Sequence, residues 1–525
     1  MKKTEIGSTN LFAMSNKASD QLHKLIKSLS KPEKRYFKVF SSRHIIGDEN
    51  NYQTLFDAID RQEDYDEEKL MKKFKDKSFV NRFSIAKNRL YNAILKSLDS
   101  FHANSSIEAQ IHRQVHAAEI LYNKSLYDQS LKVLNSAKKV AEKHEMYTVL
   151  AEISRWEKRI IEKNNYDDIK SVDELNVIMQ NDIELFEKLK INSELWNIKS
   201  KIFSQLYRQG KVRSEAETKE FKGLLDDAKS RLEEKNIGLE NEYMLRHISS
   251  AYHFALGEYE NCYPYLVENI KAIQEYTHLF EEEPGIYLSV LSNTIYVGMR
   301  LGKWKDAFEH LEQLRAYPAT LAERMTEDLE IRLFSLGKST ELTLYAQSGE
   351  FEKGLEIIPE IRLGLAAFNE NLSNVRKAHF YFNIAVIYFG LEQYHESLKW
   401  VNKLLNNVDI DKTKDIHCIA QILNLVIHLE LGNKELLPYT LRSTQRFLAT
   451  RNKVFAFETI MLDFVNEMLK KRTNKSNDDL YTDLQAQLQE LKQNPFEQFV
   501  FEYFDFLSWA KSKVSGKKFR EQLAA

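Results

Sequence analysis

One turn signature, recurring about every forty residues, constrains this chain more than any other feature. Its clearest copies read Leu256-Gly257-x-Tyr259-x-x-Cys262, Leu301-Gly302-x-Trp304-x-x-Ala307 and Ser348-Gly349-x-Phe351-x-x-Gly354. A small residue, an aromatic two positions later and a second small residue three beyond that describe a helix–turn–helix hairpin. Anchored on the turn between the two helices, the repeats fall at Ser125, Asn164, Gly210, Gly257, Gly302, Gly349, Glu392 and Gly432. They are separated by 39, 46, 47, 45, 47, 43 and 40 residues. A chance set would not hold so close to one period. A single hairpin cannot bury its apolar stripe, so neighbours must stack and share a continuous core, which makes the chain an α-solenoid of about eight hairpins.

The residues of the signature imply how the stack is packed. The turn aromatic (Tyr127, Tyr259, Trp304, Phe351, Tyr394) is expected to wedge between the helices of its hairpin. The small residue after it (Ser130, Cys262, Ala307, Gly354, Ser397) is expected to let the helices approach closely. Composition agrees with helices throughout. Gly and Pro, 16 and 7 in 525 residues, fall well below the roughly 12% of average proteins that turn-rich β architectures would need at least to match.

Charge and cysteine narrow the setting. The net charge is −2, which argues against a general coat for polyanions. Residues 1–98 nevertheless carry 20 Lys and Arg against 13 Asp and Glu, so the N-terminal region is basic and the remainder acidic. Two cysteines, Cys262 and Cys418, supply neither a disulfide framework nor a zinc-type pair. With no secretory signal in Met1–Asp20 and no long apolar run, the expected location is cytoplasmic.

The chain reads as four segments. Residues 1–16 are an expected disordered extension, Met14 being an alternative start. Residues 17–104 are a basic helical module, 105–470 the solenoid and 471–525 capping helices. In the module, Leu22, Leu25, Ile26 and Leu29 recur at helical spacing. Ser30-Lys31-Pro32-Glu33 has the spacing of a capping box that opens a second helix. Further helices are expected at 52–61, 67–74 and 84–98. Near the C-terminus, Phe496–Trp509 holds seven aromatic residues and three acids. It reads as a helix buried inside the last repeat, with dimer or membrane contact as the alternatives.

At the turn residues just quoted, the pattern resembles the tetratricopeptide repeat family. An apolar residue eight positions after the small one, as at Ile270 and Leu405, fits the second helix of that family too. The period is longer than the family's 34 residues, and its helix-ending proline is mostly absent, Pro318 being a possible counterpart. The stretch Leu25–Lys38 is also similar to repeat proteins of unassigned activity from Bacteroidota. The first resemblance implies a right-handed superhelix whose first helices line a groove for a peptide or helix. It places Asn293, Tyr296 and Arg300 in that groove in the Gly302 repeat, and Asn383 in the Glu392 repeat. Amide side chains can hold an extended backbone, and Arg can hold a carboxylate in bidentate fashion. The family's two-carboxylate clamp needs asparagines in adjacent repeats, and Thr340 intervenes in the Gly349 repeat.

Catalytic and cofactor motifs do not emerge. Gly337-Lys338-Ser339-Thr340 mimics the end of a phosphate-binding loop, but Arg332 stands where the motif needs glycine. It reads as a turn between hairpins. His112 and His116, with Glu108 and Glu119, share one helix face, yet no second pair completes a metal site. Nucleophile-elbow, zinc-protease and dinucleotide fingerprints are missing. The expectation is therefore a non-enzymatic protein-binding scaffold without catalytic residues, metal or cofactor. The alternative is a nucleic-acid-linked regulator, with Lys87, Asn88 and Arg89 early in a reading helix of the basic module and the solenoid as sensor.

Overall fold

The computed structural model describes residues 20–42, 51–103, 106–167, 169–212, 214–230, 237–407, 415–449, 455–470, 476–494 and 497–523. Residues 1–16, the expected extension, lie outside this set, as does Phe496. Among the described residues every regular element is helical, and the architecture is an all-α helical-repeat solenoid. No helix among them is long and apolar enough to cross a membrane. The described residues fall into two compact units, one within 1–140 and 155–167, the other within 141–154 and 168–525.

In the first unit, helices Gln21–Ser28, Lys31–Ser42, Asn51–Asp60, Glu67–Lys73 and Phe83–Phe101 follow the expected pattern closely. The capping box forms: the Glu33 carboxylate accepts the Ser30 N–H at 2.7 Å, and the Ser30 hydroxyl accepts the Glu33 N–H at 3.4 Å. Ile26, Phe37, Phe56, Ile59, Leu90 and Ile94 form the core. Part of the basic surplus is neutralised locally, because Lys34 pairs with Asp60 at 2.7 Å and Lys38 with Asp57 at 2.8 Å. The Ser125 hairpin (Ile107–Asn123 and Tyr127–Lys143) begins in this unit.

The turn anchors are legible in the backbone itself. Ser125, Gly257, Gly302, Gly349, Glu392 and Gly432 have positive φ between 60° and 78°, as in the left-handed residue that ends a helix; Gly210 also has positive φ, 80°, but with ψ at −152°. Only the Asn164 turn is displaced, its left-handed residues being Asn165 and Tyr166. The small residues act as expected. Ser130, Cys262 and Ser397 each donate to the carbonyl twelve positions earlier, those of Ala118, Ser250 and Ala385, at 2.7, 3.2 and 2.8 Å. The aromatic wedges meet a ring five positions back in three hairpins: Tyr122–Tyr127, Phe254–Tyr259 and Phe389–Tyr394, with centroids 5.2–6.1 Å apart. At Gly390 the approach is close, since a Cβ there would lie 2.2 Å from the Phe351 ring.

In the second unit, helix pairs follow each turn in order. They are Leu239–Ala255 with Tyr259–Glu275, Pro284–Arg300 with Trp304–Ala316, Ser339–Ser348 with Phe351–Ala367, Asn374–Gly390 with Tyr394–Leu405, and Asp415–Glu430 with Leu437–Ala449. A further pair, Ala456–Leu469 with Asn477–Leu491, extends the array. From Pro284–Arg300 onward the first helices lie side by side, and one hydrophobic core runs from Ile270 to Phe519.

Three expectations are corrected here. The repeat spacing calls for two helices between Asn164 and Gly210, but the chain forms one, Val172–Gln209, of 38 residues. No Gly or Pro occurs in that stretch, so nothing interrupts the backbone ladder. Gly337-Lys338-Ser339-Thr340 is not a turn. It lies within continuous helix from Glu327 to Ser348, whose Leu333–Lys338 segment is a π-helical turn; one extra residue is absorbed there without breaking the helix. Finally, Phe496–Trp509 is not a single helix in the last repeat. Gln498–Glu502 is a short 3₁₀ turn, and a new helix, Phe506–Ser515, starts where Asp505 accepts the Ser508 N–H at 2.9 Å.

Candidate functional site

The C-terminal segment 497–515 lies against the row of first helices, several repeats back from its own place in the chain. Glu502 reaches the Gly302 and Gly257 hairpins. Its carboxylate accepts hydrogen bonds from the Tyr296 hydroxyl at 3.0 Å and from Tyr259 and Lys211. Arg300 donates to the backbone carbonyl of the same residue at 2.7 Å. One step along, Gln347 donates to the carbonyl of Tyr503 at 3.0 Å. Two side chains of the solenoid therefore hold an irregular backbone by its carbonyls, while a tyrosine pair and a lysine hold its carboxylate.

Electrostatics fix the state of this cluster. Burial alone would raise the Glu502 carboxyl, but Lys211 and Arg300 hold it below the ordinary carboxylate range. Burial also pushes the Tyr259 and Tyr296 hydroxyls well above their usual range, with the Glu502 charge adding to it. Both phenols stay neutral donors, as the hydrogen bonds require. The Arg300 guanidinium stacks 4.8 Å from the Tyr296 ring. Two cations around one carboxylate leave the cluster with an excess positive charge.

Apolar burial secures the rest of the segment. Phe504 meets Phe389 and Phe519 at 5.1 Å and Phe506 at 4.7 Å. Tyr503 stacks near His379 and meets Phe382 edge-on. Trp509 is buried, and its indole N–H donates to Glu430 at 2.7 Å, with Lys513 on the other oxygen at 2.6 Å. At the far end Glu497 accepts the N–H of Ala456 at 3.0 Å, satisfying the first turn of that helix.

The expected groove residues divide accordingly. Tyr296 and Arg300 are together and engaged by Glu502. Asn293 is exposed beside them and lines a cavity. Asn383 is apart, buried between helices with its amide donating to the Thr343 hydroxyl at 2.9 Å. In the basic module, Lys87 pairs with Glu67 and contacts the Tyr65 hydroxyl, so its charge is spent within the fold. Asn88 contacts Asn92, and Arg89 is exposed. His112 and His116 are exposed and each meets a glutamate of its own helix. Among the described residues no cluster of three or more potential metal ligands occurs.

The sequence reading missed Lys211, Tyr259 as a hydroxyl donor, Gln347 and Glu502. Only Glu502 carried a signal: a carboxylate inside an aromatic run must find partners when the run is buried. Two further histidines were also missed. Burial, with Lys199 near one and Arg376 near the other, depresses His247 and His379 to about 4. The unfolded chain protonates histidine near its ordinary value of about 6.5. Their contribution to stability is complete above that value and is lost as pH falls from there toward 4. We expect destabilisation on the order of 2 kcal/mol for each by about pH 5. A His247→Gln/His379→Gln variant should show a flatter dependence of melting temperature between about pH 7 and pH 5 than the parent. An equal slope in both would refute the assignment. Glu502 titrates below this window and does not obscure it.

Comparison with known proteins finds no protein-family model and no curated protein that matches the chain.

Proposed function

We propose that this chain is a non-enzymatic, cytoplasmic interaction scaffold whose solenoid groove binds a peptide or helix of a protein partner. Residues 497–509 are the resident occupant that such a partner displaces. The observation that carries this reading is the way Arg300 and Gln347 hold consecutive backbone carbonyls, at Glu502 and Tyr503. Carbonyl recognition is independent of side-chain identity, so a surface that holds this segment can hold another of similar apolar and acidic character. The resemblance to tetratricopeptide repeats, which placed Tyr296 and Arg300 in a groove, supports the same surface.

The test is capture of tagged full-length protein from its native lysate, with and without nuclease, beside a Glu502→Ala variant. Weakening the resident segment should increase recovery of a defined, nuclease-resistant protein. Recovery unchanged by Glu502→Ala would sink displacement. Nucleic acid in place of protein, lost in Arg89→Glu, would move the function to the basic N-terminal module.

A further inference from the structure

Beside the Glu502 cluster the second unit encloses a cavity of about 420 Å³, within the range of sites for small organic ligands. Part of its wall is aromatic: Phe203, Phe254 and Tyr296 face it together with Tyr207 and Tyr503. Polar and charged groups share the lining, Lys211, Asn293, Arg376, Asp415 and Glu502 among them. Asn293 is exposed to the space, and His247, stacked on Phe203 at 5.1 Å, keeps a buried Nδ1 with no hydrogen-bond partner among the described residues.

The decisive wall residue is Arg376. It lies in the first turn of helix Asn374–Gly390, where Ser373 caps its N–H at 3.3 Å. Its guanidinium is partly buried and makes no hydrogen bond or ion pair among the described residues. A cation at a helix N-terminus is opposed by the helix dipole, and withdrawing one from water without an anion is costly. The cations and acids nearby do not relieve it. Lys211 is committed to Glu502, and Asp415 on the same wall has an interaction of its own. His379, one turn along the helix, is kept neutral beside it. The chain thus holds a fixed cation at the edge of an aromatic cavity, aided by a helix N-terminus that favours negative charge.

The structure assigns this cavity as a binding site for a small aromatic carboxylate. Arg376 takes the carboxylate through its planar fork, the flat body lies against the Phe203, Phe254 and Tyr296 wall, and Asn293 reads a polar substituent. Among the described residues no acid pairs with this guanidinium, and its one fork matches one carboxylate. The assignment does not rest on the groove reading, since it involves neither Arg300 nor the backbone of the C-terminal segment.

Isothermal titration of the full-length protein tests it, using 2-naphthylacetate, indole-3-acetate and 4-phenylbenzoate against their neutral primary amides. At least one acid should bind with Kd below about 1 mM and at least about tenfold more tightly than its amide. Arg376→Gln should abolish that preference, leave amide binding unchanged, and not lower the melting temperature of the free protein. Arg376→Lys should restore only part of it. The assignment is overturned if no acid binds below about 1 mM, if acid and amide bind alike, or if Arg376→Gln keeps the preference. Failure of the groove reading would leave all these outcomes untouched, because they concern Arg376 and not partner capture.

Discussion

Replacing Glu502 by alanine should destabilise the second unit by about 3–5 kcal/mol, the usual result of removing one partner from a buried ion pair. The side chains of Glu502 and Lys211 are only 13% and 19% exposed, so water cannot replace the lost carboxylate freely. Alanine keeps the backbone carbonyl that Arg300 holds but removes the carboxylate that offsets the Lys211 and Arg300 charges and accepts from two tyrosine hydroxyls. Glu502→Gln should cost less, because the amide oxygen still accepts from Tyr296 or Tyr259, although it no longer neutralises the cations. Thermal unfolding measures the total. Limited proteolysis gives the location: cleavage between residues 497 and 509 should accelerate well before the rest of the array opens, since repeat arrays open segment by segment. If Glu502→Ala matches the parent in both assays, the carboxylate is not the anchor described here.

Much of the solenoid is legible in the sequence because its signals are local. A left-handed turn residue, an aromatic wedge and a small residue act within one hairpin, and Ser130, Cys262 and Ser397 show the result directly in their bonds to carbonyls twelve residues earlier. The fused helix Val172–Gln209 and the π turn at Leu333–Lys338 were harder to see because each is a loss of punctuation: periodicity continues where a connection was expected, and an added residue is absorbed within the helix. The site is less legible for a different reason. Glu502 lies 202 residues from Arg300 and 291 from Lys211, and no period in the sequence relates them. The tetratricopeptide resemblance implied a groove position for Tyr296 and Arg300, but their contact with Glu502 follows only from the path of the C-terminal segment. Arg376 is invisible for the same reason, since an arginine without a hydrogen bond or ion pair among the described residues is recognised by what fails to surround it.

Phe504→Ala should rank with Glu502→Ala in cost, about 3–5 kcal/mol, through packing instead of charge. The ring is 1% exposed and is enclosed by Phe389, Phe506 and Phe519, three rings from two parts of the chain that have no simple way to collapse into the space it leaves. Phe504→Leu, which fills most of that volume, should cost less than about 1.5 kcal/mol. Urea unfolding followed by tryptophan fluorescence is the suitable measurement, because Trp509 lies on the same segment and is buried against Phe464 and Tyr481. The informative variant is the double one. Glu502 and Phe504 anchor a single strap, so once either anchor is lost the segment is partly released and the second substitution has less left to remove. The cost of Glu502→Ala/Phe504→Ala should therefore fall short of the sum of the single costs by about 1 kcal/mol or more. Strict additivity would mean that the two side chains stabilise independent regions, and that the C-terminal segment is not held as one body.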